Sequence, residues 1–599
     1  MLYYMQGGEK MEKQKNMKLT VDELANMSAV KALWECSKDH LDEVAITYSA
    51  DLNVEDLNKK PMTTVITYRK LFDNIFKTYD SLKRMGVKKG DIVTYSTITT
   101  PEFIYTVYAC NMLGAIIDPI DPRSKEEDLL HHFKNEPSKL YFAPEKMIES
   151  TLNVYQDINA DHIITTSFME SLPLIMRLGA KLTQKEKAPE LDKKKFSTMK
   201  EFQAGSKINR DIKMDGKKED IASLTHTTGS TGVPKAIVHN NENWNAQLYN
   251  ISESGLDFRR GDNIFTVTVP WVDFGLINVV HNFLCNGIRM DLDPTWTPTK
   301  NVEYFIKRNP NWWLGAPGWI DPLFTEEKFK DAKIDNIKYI ITGGAPLFAH
   351  KQRLYADKLK NHFHTNGQVV QGYGLSEITA AAFLDLNNDA GYLGRPMPNI
   401  IMDIKDPTTL QSVKTGESGE LWLSAKYPNL SPIAVGYLNK PEETAKTFVT
   451  DENGTRWVRT GDKVHADETN LTMWESRYKN ILTFNGFNIN CDKLLDEVEK
   501  VPGVAKGAII GAVTGDGNQM PVVCIEPTEN ANLDFIKEDI YKMIEEKFFD
   551  YYKPLDIVIY EKLPTKTMKI DYNQIKSELL NEVGEYIKQQ TRIRKKISE

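Results

Sequence analysis

The 599-residue sequence contains few cysteines, and they are widely scattered. The five are Cys36, Cys110, Cys285, Cys491 and Cys524, with no Cys-x-x-Cys pair and no histidine beside them at metal-ligand spacing. Paired or closely spaced cysteines are the usual sign of a disulfide framework or a structural zinc site. The sequence therefore predicts neither disulfides nor zinc.

The chain also lacks a large charge excess, a long apolar run and a recognisable leader. Its 75 basic and 83 acidic residues give a formal charge of -8, which argues against a nucleic-acid partner. No stretch of 18 or more apolar residues occurs, and residues 1–10 do not combine a basic region with an apolar core. We expect a cytoplasmic protein with no integral membrane segment.

What the chain does have is length and an alternating pattern. At 599 residues it is too long for one hydrophobic core. Residues 69–83 have the periodicity of an amphipathic helix, while the apolar runs 264–269 and 339–341 are typical of strands. Residues 165–181 form an amphipathic apolar segment that could lie on a membrane, although Pro173 favours a buried lid or subdomain element. The alternation predicts a multi-domain α/β protein.

The most informative segment is residues 224–239, which read L-T-H-T-T-G-S-T-G-V-P-K-A-I-V-H. Its glycines let backbone N–H groups approach an anion, its hydroxyls add donors, and its lysine adds positive charge. It is not a Walker loop, because Lys235 follows a proline and precedes Ala236. The segment predicts a triphosphate-binding loop formed by Thr227, Thr228, Gly229, Ser230, Thr231, Gly232 and Lys235.

Further motifs follow this loop in a fixed order. They are Gly343-Gly344-Ala345-Pro346-Leu347, Gln371-Gly372-Tyr373-Gly374-Leu375-Ser376-Glu377, Gly394-Arg395-Pro396, Gly416-Glu417-Ser418-Gly419-Glu420-Leu421, Arg459-Thr460-Gly461-Asp462, Arg477 and Lys569. Together with the loop, they resemble the signature motifs of the adenylate-forming (AMP-binding) superfamily, which includes acyl-CoA synthetases, luciferases and the adenylation domains of peptide synthetases. The resemblance extends over roughly residues 64 to 579.

The resemblance implies both the fold and its division. The expected fold is α/β, with a large multi-subdomain N-terminal adenylate-forming domain and a small mobile α+β C-terminal domain. The implied parts are an N-terminal tail (1–20), the large AMP-binding domain (21–476) and the small C-terminal domain (477–599). Lys479 occupies the hinge position, about which the family rotates its C-terminal domain between two reaction steps.

The resemblance also assigns roles to the motifs. The loop would hold the β- and γ-phosphates of ATP, Glu377 would bind Mg²⁺, and Ser376 would reach the α-phosphate. Asp462 would accept hydrogen bonds from the ribose hydroxyls, and Lys569 would bridge the α-phosphate and the substrate carboxylate. The remaining implied ATP-binding residues are Gly344, Ala345, Pro346, Gln371, Gly372, Tyr373, Gly374 and Arg477.

The acid and thiol sites follow from the same resemblance. Trp271, Asp273 and Phe274 fall where family members place the first wall of the acid pocket, and Gly486 and Phe487 fall where the C-terminal loop approaches coenzyme A. Members that activate amino acids place an aspartate in this wall to pair with the substrate ammonium. A buried carboxylate is costly unless it is paired, so Asp273 faces solvent, a protein cation or a substrate cation. We favour an internal partner or exposure.

The expected activity is that of an ATP-dependent carboxylate-CoA ligase, an acyl-CoA synthetase acting through an acyl-adenylate on a fatty or aromatic acid. Its cofactors would be ATP, Mg²⁺ and coenzyme A. Met568 stands where the family has glycine and Thr483 where CoA ligases commonly have lysine. These departures keep two alternatives open: an acyl- or aminoacyl-AMP ligase that loads a free-standing carrier protein, and a non-catalytic nucleotide-binding protein.

Overall fold

The structure is a computed structural model. It describes residues 17–51, 56, 60–183, 191–227, 235–266, 268–295, 297, 300–345, 347–387, 389–484, 487–514, 518–529, 531–548, 550–566, 569–581 and 584–587. The structural statements below refer to these residues.

The first part of the chain alternates helices and strands. Its helices are α1 (Val21–Leu24), α2 (Ala29–Ser37), α3 (Tyr68–Arg84), α4 (Pro101–Leu113), α5 (Glu126–Asn135), α6 (Ile148–Val154), α7 (Leu174–Thr183) and α8 (Met199–Gln203). Its strands are β1 (Val44–Ser49), β2 (Thr63–Thr67), β3 (Ile92–Ser96), β4 (Ile116–Ile120), β5 (Ser138–Pro144), β6 (Ala160–Thr166), β7 (Phe196–Thr198) and β8 (Ile221–Thr227).

The middle part is richer in strands. Its helices are α9 (Asn241–Ser252), α10 (Asn282–Cys285), α11 (Asn301–Arg308), α12 (Pro317–Thr325), α13 (Ala349–Asp357) and α14 (Pro441–Thr447). Its strands are β9 (Lys235–Asn240), β10 (Asn263–Thr266), β11 (Arg289–Leu292), β12 (Trp312–Gly315), β13 (Tyr339–Thr342), β14 (Gln368–Tyr373), β15 (Phe383–Asp385), β16 (Tyr392–Pro396), β17 (Ile400–Lys405), β18 (Gly419–Ala425), β19 (Gly436–Tyr437), β20 (Phe448–Thr450), β21 (Arg456–Ala466) and β22 (Thr472–Arg477).

The last part is a small α+β unit. Its helices are α15 (Cys491–Val498), α16 (Leu533–Lys547) and α17 (Tyr572–Leu579). Its strands are β23 (Ile481–Phe484), β24 (Phe487–Asn490), β25 (Val504–Val513), β26 (Gln519–Pro527), β27 (Asp556–Ile559), β28 (Thr565–Lys566) and β29 (Lys569–Ile570).

Helix α3 shows how the sequence sets these elements. The Thr67 side chain caps its N-terminus by accepting a hydrogen bond from the N–H of Lys70, and Lys83 and Arg84 lie in its last turn, where cations suit the helix dipole. The apolar stripe that predicted a helix over 69–83 is buried at Leu71, Phe72, Ile75 and Phe76. The predicted helix is confirmed within one residue at each end.

Two large sheets organise the chain up to β22. One runs β17-β18-β21-β22-β16-β15-β14-β13-β12-β10-β11-β1-β2, with β20 beside β21, and its strands from β14 to β1 are parallel. The other runs β19-β9-β8-β4-β3-β5-β6-β7 and is parallel from β8 to β7. Ligands of such sheets bind beyond the carboxyl ends of the parallel strands. The predicted motifs follow β8, β13 and β14 there.

The C-terminal unit has apolar clusters of its own. Both consist of residues from Leu482 onward, whereas Trp474 still packs on the main N-terminal cluster. This arrangement confirms a large N-terminal part and a small α+β part. The residue boundaries of the three predicted parts stay a prediction.

Two expectations concern individual segments. All five cysteines are free and buried. The preference for a buried segment over 165–181 is wrong for its helical part, because Leu174, Ile175 and Leu178 of α7 are 52 to 69% exposed. Met176 packs on the core and leaves these side chains in solvent. Among the described helices, none has the length and apolar character needed to cross a bilayer.

Candidate functional site

The turn after β13 lies at the edge of the site. Gly344 has φ +79°, in the left-handed region that favours glycine. A methyl group at Gly343 would lie 3.5 Å from the Gly372 carbonyl oxygen and 3.8 Å from Phe274 Cζ. The structure therefore brings the predicted turn, the β14 motif and Phe274 of the predicted acid pocket together. Ala345 is half-buried in this turn, and Pro346 lies outside the described residues.

The segment after β14 is a tight, strained turn. A methyl group at Gly374 would lie 1.5 Å from the Ala380 carbonyl oxygen, so only glycine fits. Thr379 and Ala380 have φ of 58° and 81°, which is costly for residues with side chains. The Gln247 amide donates to the carbonyls of residues 378 and 381 and holds this turn from below. The strain positions the short helical turn Ser376–Ile378, which carries Glu377.

Asp462 is fully buried on β21. Its Oδ2 accepts a 2.7 Å hydrogen bond from the Tyr373 hydroxyl, and its Oδ1 accepts from Trp474 Nε1 at 3.0 Å and lies 2.9 Å from Arg477 Nε. Burial, followed by the charge of Asp462, raises the pKa of the Tyr373 hydroxyl. Burial opposes the charge on Arg477, but Asp462 and Tyr373 outweigh it and raise the pKa of Arg477. The predicted ribose-binding aspartate is thus fixed by three side chains.

Glu377 and Lys235 meet at Tyr437. The Tyr437 hydroxyl donates a 2.7 Å hydrogen bond to Glu377 Oε1, and Lys235 Nζ lies 5.0 Å from the centre of the Tyr437 ring. Lys235 Nζ is also 3.7 Å from Glu443 Oε2. A cleft of about 290 Å³ opens here, lined by Leu375, Glu377, Glu420, Tyr437, Lys446, Thr447, Arg459, Thr460, Gly461 and Arg477. The lysine at the end of the loop and the predicted Mg²⁺ ligand therefore both contact Tyr437, which lines this charged cleft.

The C-terminal unit places Lys569 at this site. A methyl group at Gly344 would lie 3.8 Å from Lys569 Cε, so the lysine side chain lies over the turn after β13. Crowding by protein atoms lowers the pKa of Lys569, and the positive charges of Arg477 and Lys479 lower it further. Crowding by protein atoms, followed by the charge of Arg477, also lowers the pKa of Lys479.

Ion pairs hold the C-terminal unit in this position. Lys351 Nζ on α13 lies 3.7 Å from Glu499 Oε2, and His350 Nδ1 lies 3.4 Å from Asp496 Oδ1. Both carboxylates belong to α15 or its end. These contacts join the C-terminal unit to α13 of the large N-terminal part.

The structure gives different surroundings to the three residues predicted to line the acid pocket. Phe274 lies against the Gly343 turn, whereas Asp273 is 1% exposed and its Oδ1 is 3.0 Å from Nε2 of the equally buried His239. Trp271 is 6% exposed, and the Arg123 guanidinium lies 6.0 Å from its ring centre. Of the alternatives left open for Asp273, exposure is wrong. The structure places His239 within ion-pair distance, although neither oxygen of Asp273 makes a hydrogen bond among the described residues.

Several predicted residues lie beyond what can be described. Thr228, Gly229, Ser230, Thr231, Gly232, Pro346 and Gly486 are outside the described residues. Thr227 ends β8 and Lys235 begins β9, so the described strands mark the two ends of the loop. Phe487 begins β24, and Lys479 is exposed in a short turn after β22.

Two residues of the site were not predicted from the sequence motifs. Tyr437 contacts both Glu377 and Lys235, and Trp474 donates to Asp462. Tyr437 lies in the segment G-Y-L-N-K-P-E-E-T (436–444), whose single tyrosine before Lys440 was the available signal. Nothing in the local pattern around Trp474 marks it.

Comparisons with known proteins agree with this geometry. A family model described as "AMP-binding enzyme" matches residues 34–437. The long-chain-fatty-acid–CoA ligase of Bacillus subtilis (strain 168) is 25% identical over 462 residues, which cover 75% of this chain and 80% of that protein.

Solved structures match nearly the whole chain. The anthranilate CoA ligase AuaEII in complex with anthranoyl-AMP matches with a TM-score of 0.76 at 18% identity, covering 94% of this chain and 99% of that one. ATP-bound MatB from Rhodopseudomonas palustris matches with a TM-score of 0.76 at 18% identity, covering 92% and 99%. At these identities the structural matches establish the fold.

Proposed function

The chain belongs to the family of AMP-binding enzymes, and from this premise we propose that it is an ATP-dependent carboxylate-CoA ligase that acts through an acyl-adenylate. The expected acid is fatty or aromatic. The similarity to a long-chain-fatty-acid–CoA ligase supports the first class, and the similarity to an anthranilate CoA ligase supports the second. The chain covers 80% of the first and 99% of the second, so the proposal concerns the whole reaction.

The position of Lys569 carries the proposal. This lysine comes from the C-terminal unit, yet it lies over Gly344 and close enough to Arg477 for their charges to interact. In the first step a carboxylate oxygen attacks the α-phosphorus of ATP and the bond to pyrophosphate breaks. Two anions approach each other, so the barrier is dominated by charge. Lys569 would neutralise the charge that accumulates between carboxylate and α-phosphate.

The nucleotide would be held by the groups around Asp462. Its carboxylate already accepts hydrogen bonds from Tyr373 and Trp474 and forms an ion pair with Arg477, which fixes its orientation before any ligand arrives. The ribose hydroxyls of ATP would add donors to this carboxylate. Tyr373 would lie near the adenine, with the Gly343–Gly344 turn on the other side.

Mg²⁺ would bind Glu377, a hard oxygen ligand on the wall of the cleft, and would offset negative charge on the phosphates. Tyr437 holds Oε1 of this carboxylate, which sets the direction of the group. Lys235, against the Tyr437 ring, would face the outer phosphates. Ser376, beside Glu377, would reach the α-phosphate.

The second step requires a thiol. The sulfur attacks the acyl carbonyl carbon of the adenylate, the bond to the phosphate oxygen of AMP breaks, and a thioester forms. Lys569 is not needed for this step, and rotation of the C-terminal unit about Lys479 would replace it with the Gly486–Phe487 loop. Thr483 is exposed on β23, where CoA ligases commonly have a lysine. This departure favours a carrier-protein thiol as the second candidate acceptor.

The test is pyrophosphate release from ATP and Mg²⁺ with a panel of fatty, aryl and amino acids, each with and without CoA. Turnover that one acid class supports and CoA stimulates is the expected result. Release that CoA does not affect would favour the carrier-protein acceptor. No release with any acid would contradict the proposal and favour a non-catalytic nucleotide-binding protein.

A further inference from the structure

Four side chains that are distant in sequence converge where β4, β8 and the end of α5 meet. Asp118 lies on β4, His132 and Glu136 lie on α5 and at its end, and His226 lies on β8. One ligand atom from each lies within 4.8 Å of all the others. Asp118 is fully buried, and the side chains of the other three are 10 to 16% exposed. This group, the His–carboxylate cluster, has no role in the adenylation site described above.

The cluster has the spacing of a metal coordination shell. His132 Nε2 lies 2.9 Å from Asp118 Oδ2, and His132 Nδ1 lies 2.9 Å from Glu136 Oε2. His226 Nε2 lies 3.2 Å from Asp118 Oδ1 and 3.3 Å from Glu136 Oε2. Ligands placed about 2.1 Å from a tetrahedral Zn²⁺ are about 3.4 Å apart. His132 can offer only one of its two nitrogens, so only one of its 2.9 Å contacts belongs to such a shell. The four ligand atoms lie within 4.8 Å of one another, and rotation of the side chains would bring them onto one ion.

The orientations of two of these atoms also point to a ligand. Within the described part of the chain, His132 Nε2 and Glu136 Oε2 are buried and have no hydrogen-bond partner, although each has an oppositely charged or polar atom 2.9 Å away. Glu136 is 8% exposed. Buried polar atoms are normally hydrogen-bonded, so two orphans in one cluster require an explanation. A ligand shared by the four side chains, whose ligand atoms lie within 4.8 Å of one another, would provide it.

A second layer of hydrogen bonds supports the cluster. The Thr94 hydroxyl on β3 donates to Asp118 Oδ2 at 2.9 Å, and its oxygen is 2.5 Å from the Ser138 hydroxyl. Carboxylates that bind metals are commonly oriented by such bonds. The histidine and glutamate pair on α5 spans four residues, which places both side chains on one face of the helix.

We propose that Asp118, His132, Glu136 and His226 form a binding site for one divalent first-row transition-metal ion of the zinc type. Two imidazoles and two carboxylates are a nitrogen and oxygen set that Zn²⁺ and Co²⁺ accept, and the two negative charges match a dication. The ion would join β4, β8 and α5. His226 immediately precedes Thr227, the first residue of the predicted phosphate loop, so the ion would fix the strand from which that loop starts.

The competing occupant of the cluster is a proton. Burial opposes a charge on His132, but Asp118 and Glu136 outweigh it and raise the pKa of His132 to about 10. Without metal, an imidazolium would balance the carboxylates. Metal binding must therefore displace a proton, and direct metal analysis distinguishes the two occupants.

The experiment uses the full chain, stripped with EDTA, loaded with Zn²⁺ or Co²⁺ and freed of excess ion by dialysis. Mass spectrometry of the elements gives the metal content, and visible absorption reports the Co²⁺ environment. We expect one ion per chain in the wild type, a tetrahedral Co²⁺ spectrum, and a Tm that rises when Zn²⁺ is added. A wild-type protein that retains no Zn²⁺ or Co²⁺ would overturn the proposal before any variant is made.

The variants then locate the ion. His132→Asn and Glu136→Gln should weaken Zn²⁺ binding at least about 100-fold, and Thr94→Val, which touches only the second layer, about 10-fold. His131→Asn is the matched control, because His131 is an exposed neighbour on the same helix whose ring faces Asn135. Stoichiometric metal in His132→Asn, or equal loss in His131→Asn, would overturn the assignment. Circular dichroism of each variant identifies any that fails to fold.

Discussion

The Tyr373 hydroxyl donates a 2.7 Å hydrogen bond to Oδ2 of Asp462, 89 residues further along the chain. One residue ends a strand of the parallel region and the other lies on an antiparallel strand of the same sheet. The bond therefore joins two motifs of the predicted nucleotide site.

Replacing Asp462 by asparagine tests this junction. Asp462→Asn removes the charge that pairs with Arg477. It also places an amide group where the Tyr373 hydroxyl and Trp474 Nε1 donate to the carboxylate. Hydrogen bonds to charged groups are worth about 1.5–3 kcal/mol, so the KM for ATP should rise roughly 10- to 100-fold. The measurement is the ATP dependence of pyrophosphate release. The control is Asp467→Asn, at an exposed turn after the same strand, which should leave the KM within about twofold of the wild-type value. An equal KM for wild type and Asp462→Asn would exclude Asp462 as a nucleotide ligand.

Tyr437→Phe removes the hydroxyl that orients Glu377 and retains the ring beside Lys235. The Mg²⁺ concentration needed for half-maximal pyrophosphate release should rise roughly 10-fold, because the carboxylate loses one hydrogen bond that fixes its direction. Thermal unfolding should change little. Tyr155→Phe is the control, since Tyr155 packs on Phe196 beneath the other large sheet. An unaltered Mg²⁺ requirement in Tyr437→Phe would show that this bond does not prepare Glu377.

Replacing Asp273 tests whether this carboxylate pairs with His239 or with a substrate ammonium. The structure pairs it with His239 in the core, so Asp273→Asn should lower the free energy of unfolding by about 1–3 kcal/mol. The ratio of activity on amino acids to activity on simple acids should stay constant. Denaturant unfolding and the acid panel measure the two quantities. Selective loss of amino-acid activation at unchanged stability would instead make Asp273 a ligand of the substrate ammonium.

Glu102 predicts a pH dependence of stability. Burial raises its pKa from 4.5 to about 7, partly offset by the hydrogen bond from the Ser171 hydroxyl. The folded protein therefore holds this proton more tightly than the unfolded chain does. Its contribution to stability is complete below pH 4.5 and is lost as the pH rises through 7. The difference corresponds to about 3 kcal/mol.

Glu102→Gln removes this titration and keeps the hydrogen-bonding shape. Its free energy of unfolding relative to wild type should increase by about 3 kcal/mol between pH 4 and pH 8, measured in urea at each pH. Glu149→Gln, at an exposed position on α6, should show no such trend. Parallel pH profiles for wild type and Glu102→Gln would show that Glu102 ionises normally.

The fold and the order of the site motifs could be predicted from the sequence, because both depend on local signals. The stripe and caps of α3 and the glycine turns follow from residues that are neighbours in the chain. Contacts across the sheets could not be predicted. Asp118 and His226 meet because β4 and β8 pair in a parallel register centred on Ile117 and Ser223, and no local pattern sets that register.

The same reason explains why the sequence predicted no zinc. The search for metal ligands followed closely spaced cysteines and histidines, whereas the His–carboxylate cluster is assembled from segments up to 108 residues apart. The exposed apolar face of α7 was missed for a related reason. Whether an amphipathic helix is covered depends on its neighbours, and among the described side chains of α7 it is Met176 that packs on the core.

The central claim is that Lys569 serves adenylation and not thioester formation. In Lys569→Ala, pyrophosphate release at saturating acid and ATP should fall about 100- to 1,000-fold, the usual effect of removing one group that stabilises transition-state charge. Lys562→Ala, an exposed lysine of the same unit, should retain full activity.

The most direct measurement separates the two half-reactions of Lys569→Ala by mass spectrometry, with the identified acid and CoA. The account predicts that the variant makes no acyl-adenylate from acid and ATP, yet converts supplied acyl-adenylate and CoA to acyl-CoA at close to the wild-type rate. Undiminished adenylate formation, or equal loss of both half-reactions in a folded variant, would contradict it.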